Sequence, residues 1–380
     1  MNAPSVDVAV VGGGLVGSFV AWRAAQRGLR VTVVDDHRDA RASWAAAGML
    51  APVSEYHPTE ALLTAALNAA AGGYQATVDE LEAATGSTCG YRATGTLVVG
   101  VHHDDVTAIA ELHRLQKDAG VTSRPVGRTA LAEIEPALGP AVRAGLFAAD
   151  DHQVDPRRLL TTVIEAGARV GVARVDASVR SLDERLGDVV LADGASIVAG
   201  AVVIASGAWA ATMPGIATLP VRPVKGQILR LRSVDHGFLA GPVIRGLVRG
   251  HDVYVVGRAD GEIVIGATVE ERGFDETPTA GALHALLRDA RTLLPDLDEA
   301  VFVEHLVGFR PGTPDNGPLV GALGTIGATR VFAAVGHHRN GVLLAPLTGE
   351  AVAAQLTGDD PTGALAPFTP DRLEVCAPWN

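Results

Sequence analysis

Val6-Asp7-Val8-Ala9-Val10-Val11-Gly12-Gly13-Gly14-Leu15-Val16-Gly17 is the stretch on which the fold turns, because an apolar β-branched run passes straight into a glycine loop. The run predicts a buried strand over Val6–Val11. After the loop, Val16 to Arg27 reads as a helix and Leu29 to Val34 as a second strand. The whole is a βαβ unit of about 30 residues, the minimum dinucleotide-binding piece. Gly12 permits the tight turn, Gly14 lets backbone approach a pyrophosphate, and Gly17 lets helix pack closely on strand. The helix start at Leu15 and Val16 then faces the phosphate charge. Asp35, followed by Asp36, closes the second strand, where an acid accepts hydrogen bonds from ribose hydroxyls and disfavours a phosphorylated ribose. The bland alternative is a glycine-rich turn without a ligand. Strand, helix and acid together argue against it, but they leave open which dinucleotide binds.

Composition agrees with an α/β protein. The chain has 380 residues, enough for two domains, and is 48% hydrophobic but only 4% aromatic, so Ala, Val and Leu must build the core. The formal net charge of -12 has no block of like charges behind it, which makes nucleic acid an unexpected partner. Cys89 and Cys376 are far apart with no CxxC spacing, so reduced thiols are expected rather than a disulfide or a zinc site. Met1 to Asp7 carries no basic region, and a signal peptide is not expected. Gly194 to Val221 is free of charge, yet Gly200, Gly207, Pro214 and Gly215 interrupt it, so it reads as a buried strand leading into a loop, not a membrane span.

Farther along, two helical patterns, Glu60–Ala71 and Tyr74–Thr85, flank a glycine pair. A strand follows at Gly95–Val101, then helices at Val106–Ala119 and Arg157–Gly167, and short strands at Val170–Val175, Ser178–Asp183, Val189–Ala192 and Ala201–Ala205. The alternating runs Gln227–Arg232, Val253–Val256 and Glu262–Ala267 predict an antiparallel sheet with one face solvated, and Ala280–Leu294 a helix. The expected class is therefore α/β (α+β), a Rossmann-like nucleotide domain interleaved with an antiparallel-sheet substrate domain. The nucleotide domain takes residues 1–85, 148–220 and 306–380; the substrate domain takes 86–147 and 221–305.

The distal segment Gly336-His337-His338-Arg339-Asn340-Gly341-Val342-Leu343-Leu344-Ala345-Pro346 decides the dinucleotide. Together with Ala45-Ala46-Ala47-Gly48-Met49-Leu50-Ala51-Pro52, Gln153-Val154-Asp155-Pro156-Arg157, Ala205-Ser206-Gly207-Ala208-Trp209, Pro223-Val224-Lys225-Gly226-Gln227 and Gly308-Phe309-Arg310-Pro311-Gly312, it resembles the glycine oxidase family of thiamine biosynthesis. That family lies within the FAD-dependent amino-acid oxidases that include D-amino-acid oxidase and sarcosine oxidase. The segments run in family order over nearly the whole chain, and the resemblance implies the D-amino-acid oxidase-like fold and FAD. Small residues at Ala45 to Gly48 suit a flat ring system, while Gly336 and Gly341 bring amides and a helix start to its pyrimidine end. By resemblance, Ser43, Trp44, Ala47, Gly48, Met49 and Leu50 line the flavin, Val179 meets adenine through backbone, Gly207 and Trp209 close the cofactor site, and His337 to Leu343 wrap the ring. Neither cysteine lies at a tethering motif, so noncovalent FAD is expected.

Arg310, set between apolar and loop-rigidifying residues, suits a bidentate carboxylate clamp, and the resemblance implies that role. Tyr254 matches a tyrosine that helps hold the carboxylate, although a tyrosine in an alternating strand is as readily a sheet-face residue. Arg339 matches an arginine near substrate and flavin. His338 stands where the family has an aromatic ring, Val269 replaces a longer side chain, and His251 has no secure equivalent. No metal is expected, because adjacent histidines do not share a helix face and the Asp104-Asp105 pair reads as helix capping.

The resemblance implies oxidative deamination of glycine or a related small amino acid or amine: hydride passes to the flavin, and dioxygen reoxidises it to give hydrogen peroxide, in service of thiamine biosynthesis. A D-amino-acid or secondary-metabolite amino-acid oxidase, or a dehydrogenase using another acceptor, is the alternative; a flavoprotein that only binds is a third. The expected partners are the small substrate, dioxygen and further copies of the chain as a homo-oligomer, in the cytoplasm, with no nucleic acid and no membrane.

Overall fold

Ser5–Val11 is a central strand of an eight-stranded sheet, and every later element of the nucleotide side is placed relative to it. The computed structural model describes residues 5–215, 219–234, 238–359 and 363–373; Met1 to Pro4 and Cys376 lie outside them. The main path of the sheet runs Leu319–Ile326, Thr329–Val335, Ser196–Ile204, Ser5–Val11, Val31–Asp35, Ala173–Asp176. All joins after the first are parallel, with Val8 in register with both Val31 and Ala201. Val8 to Val11 and Ala201 to Ile204 are buried on both faces: Val8, Val10, Ala201 and Val203 pack against helices, while Ala9, Val11, Val202 and Ile204 pack with Leu182, Val189 and Leu191 of the short strands Val179–Leu182 and Val189–Leu191. The charge-free run beginning at Gly194 is thus a central strand and its exit loop.

Four helices share one core with this sheet: Leu15–Gln26, Ala61–Thr85, Pro156–Arg169 and Gly341–Leu356. The second corrects the expectation of two helices parted at Gly72-Gly73. Leu63, Leu67, Ala70, Tyr74, Val78 and Leu81 continue a three-to-four spacing across the pair and are buried, so packing of that stripe overrides the weak helix propensity of two glycines. Pro156 occupies the first helical position of its helix, and the Asp155 side chain accepts from the amides of Arg157 (2.9 Å) and Arg158 (3.2 Å). Asp105 lies in the first turn of His103–Asp118 and accepts from the His102 amide at 2.9 Å.

The second sheet also has eight strands, in the order Val301–Gly312, Arg222–Arg232, Glu262–Gly266, His251–Gly257, Val243–Val248, Thr96–Gly100, Ala144–Ala148, Arg124–Gly127. Only Val243–Val248 and Thr96–Gly100 pair in parallel. Val301–Gly312 belongs wholly to this sheet, so the boundary expected at 306 falls inside a strand. The expectation of one solvated face does not hold either. Leu229, Ile244, Val255 and Ile265 pack with Leu286, Ala290 and Leu293 of the helix Ala280–Leu293, while Ile228, Val243, Val256 and Val264 pack against Ala45 and Ala47. The second contact brings this sheet over the nucleotide-binding half.

Candidate functional site

Between the two sheets lies a cavity of about 560 Å³, and the glycine loop forms one end of it. Gly12 has φ +106, and a side chain there would meet the Ala205 carbonyl oxygen at 2.5 Å. Gly17 faces the Gly12 carbonyl so closely that a Cβ would sit 2.0 Å from its oxygen, which fixes how near the helix Leu15–Gln26 stands to its strand. That helix has no acidic residue in its first turn, and its Leu15 amide donates to Ser43 Oγ at 3.0 Å. Asp35, 13% exposed, ends its strand with His37 Nδ1 at 3.2 Å. Asp36 is already engaged, accepting from Arg38 Nε at 2.8 Å and Ser178 Oγ at 3.1 Å.

The cavity wall includes Gly12, Gly14, Leu15, Val16, Asp35, Asp36, Ser43, Ala47, Gly48, Met49, Val179, Gly207 and Trp209 from the expected cofactor set, and continues through His337, His338, Arg339, Asn340, Gly341, Val342 and Leu343. Arg310 and Tyr254 lie on the same wall. Gly17, Trp44, Leu50 and Gly336 stand behind it. Trp44 has the Arg157 guanidinium 4.2 Å over its ring, Leu50 belongs to the core under the first sheet, and Gly336 (φ +78) turns the chain against Thr313.

These residues fit FAD. A diphosphate needs donors and positive charge, and near the glycine loop Arg41 Nε and Nη1 are buried without a hydrogen-bond partner among the described residues, while Arg174 Nη2, likewise without a hydrogen bond, has Asp35 Oδ2 3.9 Å away. Orphaned guanidinium atoms in a native interior call for an anion. A Cβ on Gly13 would come within 2.2 Å of Arg174 Nη2, which puts that group beside the loop. Arg41 carries no motif of its own and is legible only from its place four residues before Ala45.

At the other end, Arg310 sits on Val301–Gly312 and donates from Nη1 to the Thr268 carbonyl at 3.1 Å. Gly226 makes room for it, since a Cβ there would lie 2.4 Å from Arg310 Nη1. Tyr254 pairs in register with Gly266 on one side and Arg245 on the other; a side chain at 266 would strike its hydroxyl at 2.2 Å. Burial pushes the Tyr254 pKa up, so its hydroxyl stays a donor. Arg339 is held by Glu55 and Glu60, each at 3.3 Å, and Glu55 also lies 3.8 Å from Arg245. Arg245 donates to the Ser54 carbonyl at 2.7 Å. Arg245, Glu55 and Asp252 thus join the substrate end unanticipated. Only the hairpin register that sets Arg245 opposite Tyr254 could have signalled one of them.

Both histidines of the distal segment are neutral. Burial takes His337 down to about 3, and its Nε2 shares a hydrogen bond with Thr348 Oγ1 at 2.9 Å. His338, in the left-handed region at φ +46, is pushed to about 4 by burial first and then by Arg310, Arg339 and Arg222.

A glycine-loop dinucleotide site at one end of the cavity, with Arg310 and Tyr254 on its wall at the other, marks a cofactor-dependent oxidoreductase. Residues 7–355 match the FAD dependent oxidoreductase family, DAO, and the chain belongs to it. It is 32% identical to the glycine oxidase of Pseudomonas putida, an alignment covering 97% of this chain and 99% of that protein. It is 33% identical to the bifunctional protein ThiO/ThiG of Synechocystis sp., over 97% of this chain and 54% of that protein. The chain therefore spans about half the length of the bifunctional relatives. The crystal structure of glycine oxidase from Geobacillus kaustophilus superimposes with a TM-score of 0.87 at 30% identity, covering 97% of this chain and 99% of that one.

Proposed function

We propose that this FAD-dependent oxidoreductase oxidatively deaminates glycine or a closely related small amino acid or amine, in the cytoplasm, as part of thiamine biosynthesis, and that it works as a homo-oligomer. The observation that carries the substrate reading is the cavity-facing Arg310, oriented by Thr268 and cleared by Gly226, beside the half-buried Tyr254. Residues 1–85, 148–220 and 306–380 are proposed as the cofactor-binding part and 86–147 and 221–305 as the substrate-binding part, except that the strand Val301–Gly312 goes whole with the second sheet.

When bound, FAD supplies the two-electron acceptor and passes the electrons to dioxygen, giving hydrogen peroxide. The protein's own residues bind and orient. The Arg310 fork and Tyr254 hydroxyl hold the carboxylate, which fixes the α-carbon relative to the Ala47–Met49 side of the cavity. His337 and His338, with pKa values near 3 and 4, are weak bases at neutral pH, which supports a route that asks no side chain for the α-proton. The amides at the start of Gly341–Leu356 present a positive dipole end to the ring site.

Arg310→Ala tests the reading. Glycine kcat/KM is expected to fall by about 2 to 5 kcal/mol of transition-state binding, the cost of leaving a desolvated carboxylate without its cation, while flavin content stays normal. Near-normal turnover of small amino acids would refute the clamp.

A further inference from the structure

Lys225 and Gln227 are both fully buried, at 0% exposure, in the middle of the strand Arg222–Arg232, and the chemistry described above gives neither a task. Burying an ammonium is costly, and replacing a buried ion pair as a whole with apolar residues of similar volume is often neutral for stability. Their partners all come from one segment, 267–279, which links the strand Glu262–Gly266 to the helix Ala280–Leu293. Lys225 Nζ donates to Asp275 Oδ2 at 2.9 Å and to the Thr277 carbonyl at 2.7 Å. Gln227 Nε2 donates to Glu270 at 2.7 Å, and its Oε1 accepts from the Thr279 amide at 2.8 Å. Backbone bonds add to this: Lys225 and Glu270 exchange amide and carbonyl at 3.0 and 2.9 Å, and the Gln227 amide donates to Thr268 Oγ1 at 2.9 Å.

The latched segment is the one whose Thr268 carbonyl receives Arg310. It also puts Val269, 73% exposed, on the cavity wall, and Phe274 stacks on Trp209 with ring centroids 5.5 Å apart. Strand alternation sets Gly226, which clears the guanidinium, on the face opposite Lys225 and Gln227. Three consecutive residues thus do one job from two sides of a strand. Resting on the reading of Arg310 as the carboxylate clamp, we propose that Lys225 is a positioning residue for substrate binding, with Gln227 as its second anchor: it latches segment 267–279 so that the Thr268 carbonyl holds the Arg310 fork in its binding orientation.

Glycolate, which carries a hydroxyl where glycine has its amine, reports carboxylate binding through the absorbance of the bound flavin in the holoenzyme. In Lys225→Met the glycolate Kd and glycine KM are both expected to rise about tenfold, roughly the loss of one oriented charged hydrogen bond. Saturated kcat and flavin content stay near the parent values, while loss of one partner of the ion pair lowers the melting temperature. Asp275→Asn, at a half-exposed site, should shift Kd and KM the same way by less, and it decides the matter alone if the methionine variant does not hold flavin. Because Lys225 acts through Arg310, the Lys225→Met/Arg310→Ala double variant should bind glycolate no worse than Arg310→Ala. Parent-like binding in the Lys225 and Asp275 variants, or a fully additive loss in the double variant, overturns the latch. An unchanged Kd in Arg310→Ala overturns the clamp, and the latch falls with it.

Discussion

Arg339 and Arg41 show in opposite ways what a single residue's surroundings decide. Arg339 belongs to a recognisable segment, yet its guanidinium is taken up by the carboxylates of Glu55 and Glu60. Arg41 belongs to no quoted motif, yet two of its nitrogens are buried and unpartnered. Buried donors in that condition cost free energy until an anion meets them. Arg41→Met should therefore weaken FAD retention by a factor on the order of ten or more, the worth of a charge-assisted bond, with little change in turnover of the flavin-loaded fraction. Flavin release on dialysis measures this, and retention equal to the parent would show that Arg41 is not a phosphate ligand. The approach of Gly17 to Gly12 and the strand end at Asp35 were legible because both are set within one strand–helix–strand unit. Glu55 and Arg245 were not, because their closeness depends on two sheets meeting.

Among the elements, glycines inside helices carry opposite meanings that sequence cannot separate. Gly72 and Gly73, within Ala61–Thr85, have nothing within 4 Å of where a Cβ would stand. Gly349, within Gly341–Leu356, would put a Cβ 2.8 Å from the Phe19 backbone on the helix that follows the glycine loop. The first pair only costs helix propensity; the second sets the distance between the two helices whose starts bracket the cofactor site. Gly72→Ala and Gly73→Ala should each stabilise by about 0.5 to 1 kcal/mol. Gly349→Leu should cost about 1 to 3 kcal/mol through overpacking and loosen FAD as well. Thermal melts with and without added FAD check both, and a destabilised Gly72→Ala would mean that helix packs against something on its open side. The low helix propensity of two adjacent glycines signals a break, whereas the apolar stripe from Leu63 to Leu81 runs across it, and its burial in the core decides for one helix.

Across the whole molecule, the two sheets are tied by a buried acid near the cavity. Asp151 lies between the second-sheet strand Ala144–Ala148 and the helix Pro156–Arg169 of the nucleotide half, and accepts from the amides of Val53 (2.9 Å) and Ser54 (3.1 Å). Those amides precede Glu55, and the Ser54 carbonyl receives Arg245, so one carboxylate supports the corner where both arginines and Glu55 meet. Burial pushes the Asp151 carboxyl up to about 6, outweighing the hydrogen bonds from Ser54 and Val53 and the attraction of Arg245. An unfolded aspartate titrates near pH 3.9, so between about 4 and 6 the folded protein binds more protons than the unfolded chain. Stability contributed here is therefore fully present below about pH 4 and lost as pH rises through about 6. Asp151→Asn removes the titration while keeping an acceptor for the two amides. The melting temperature of the variant relative to the parent should accordingly be lowest near pH 4 and rise until about pH 6.5, then level off, with the total amounting to about 2 to 3 kcal/mol. A difference that stays flat across that range would show that Asp151 is ionised throughout, held so by Arg245 and the amides more strongly than burial opposes it.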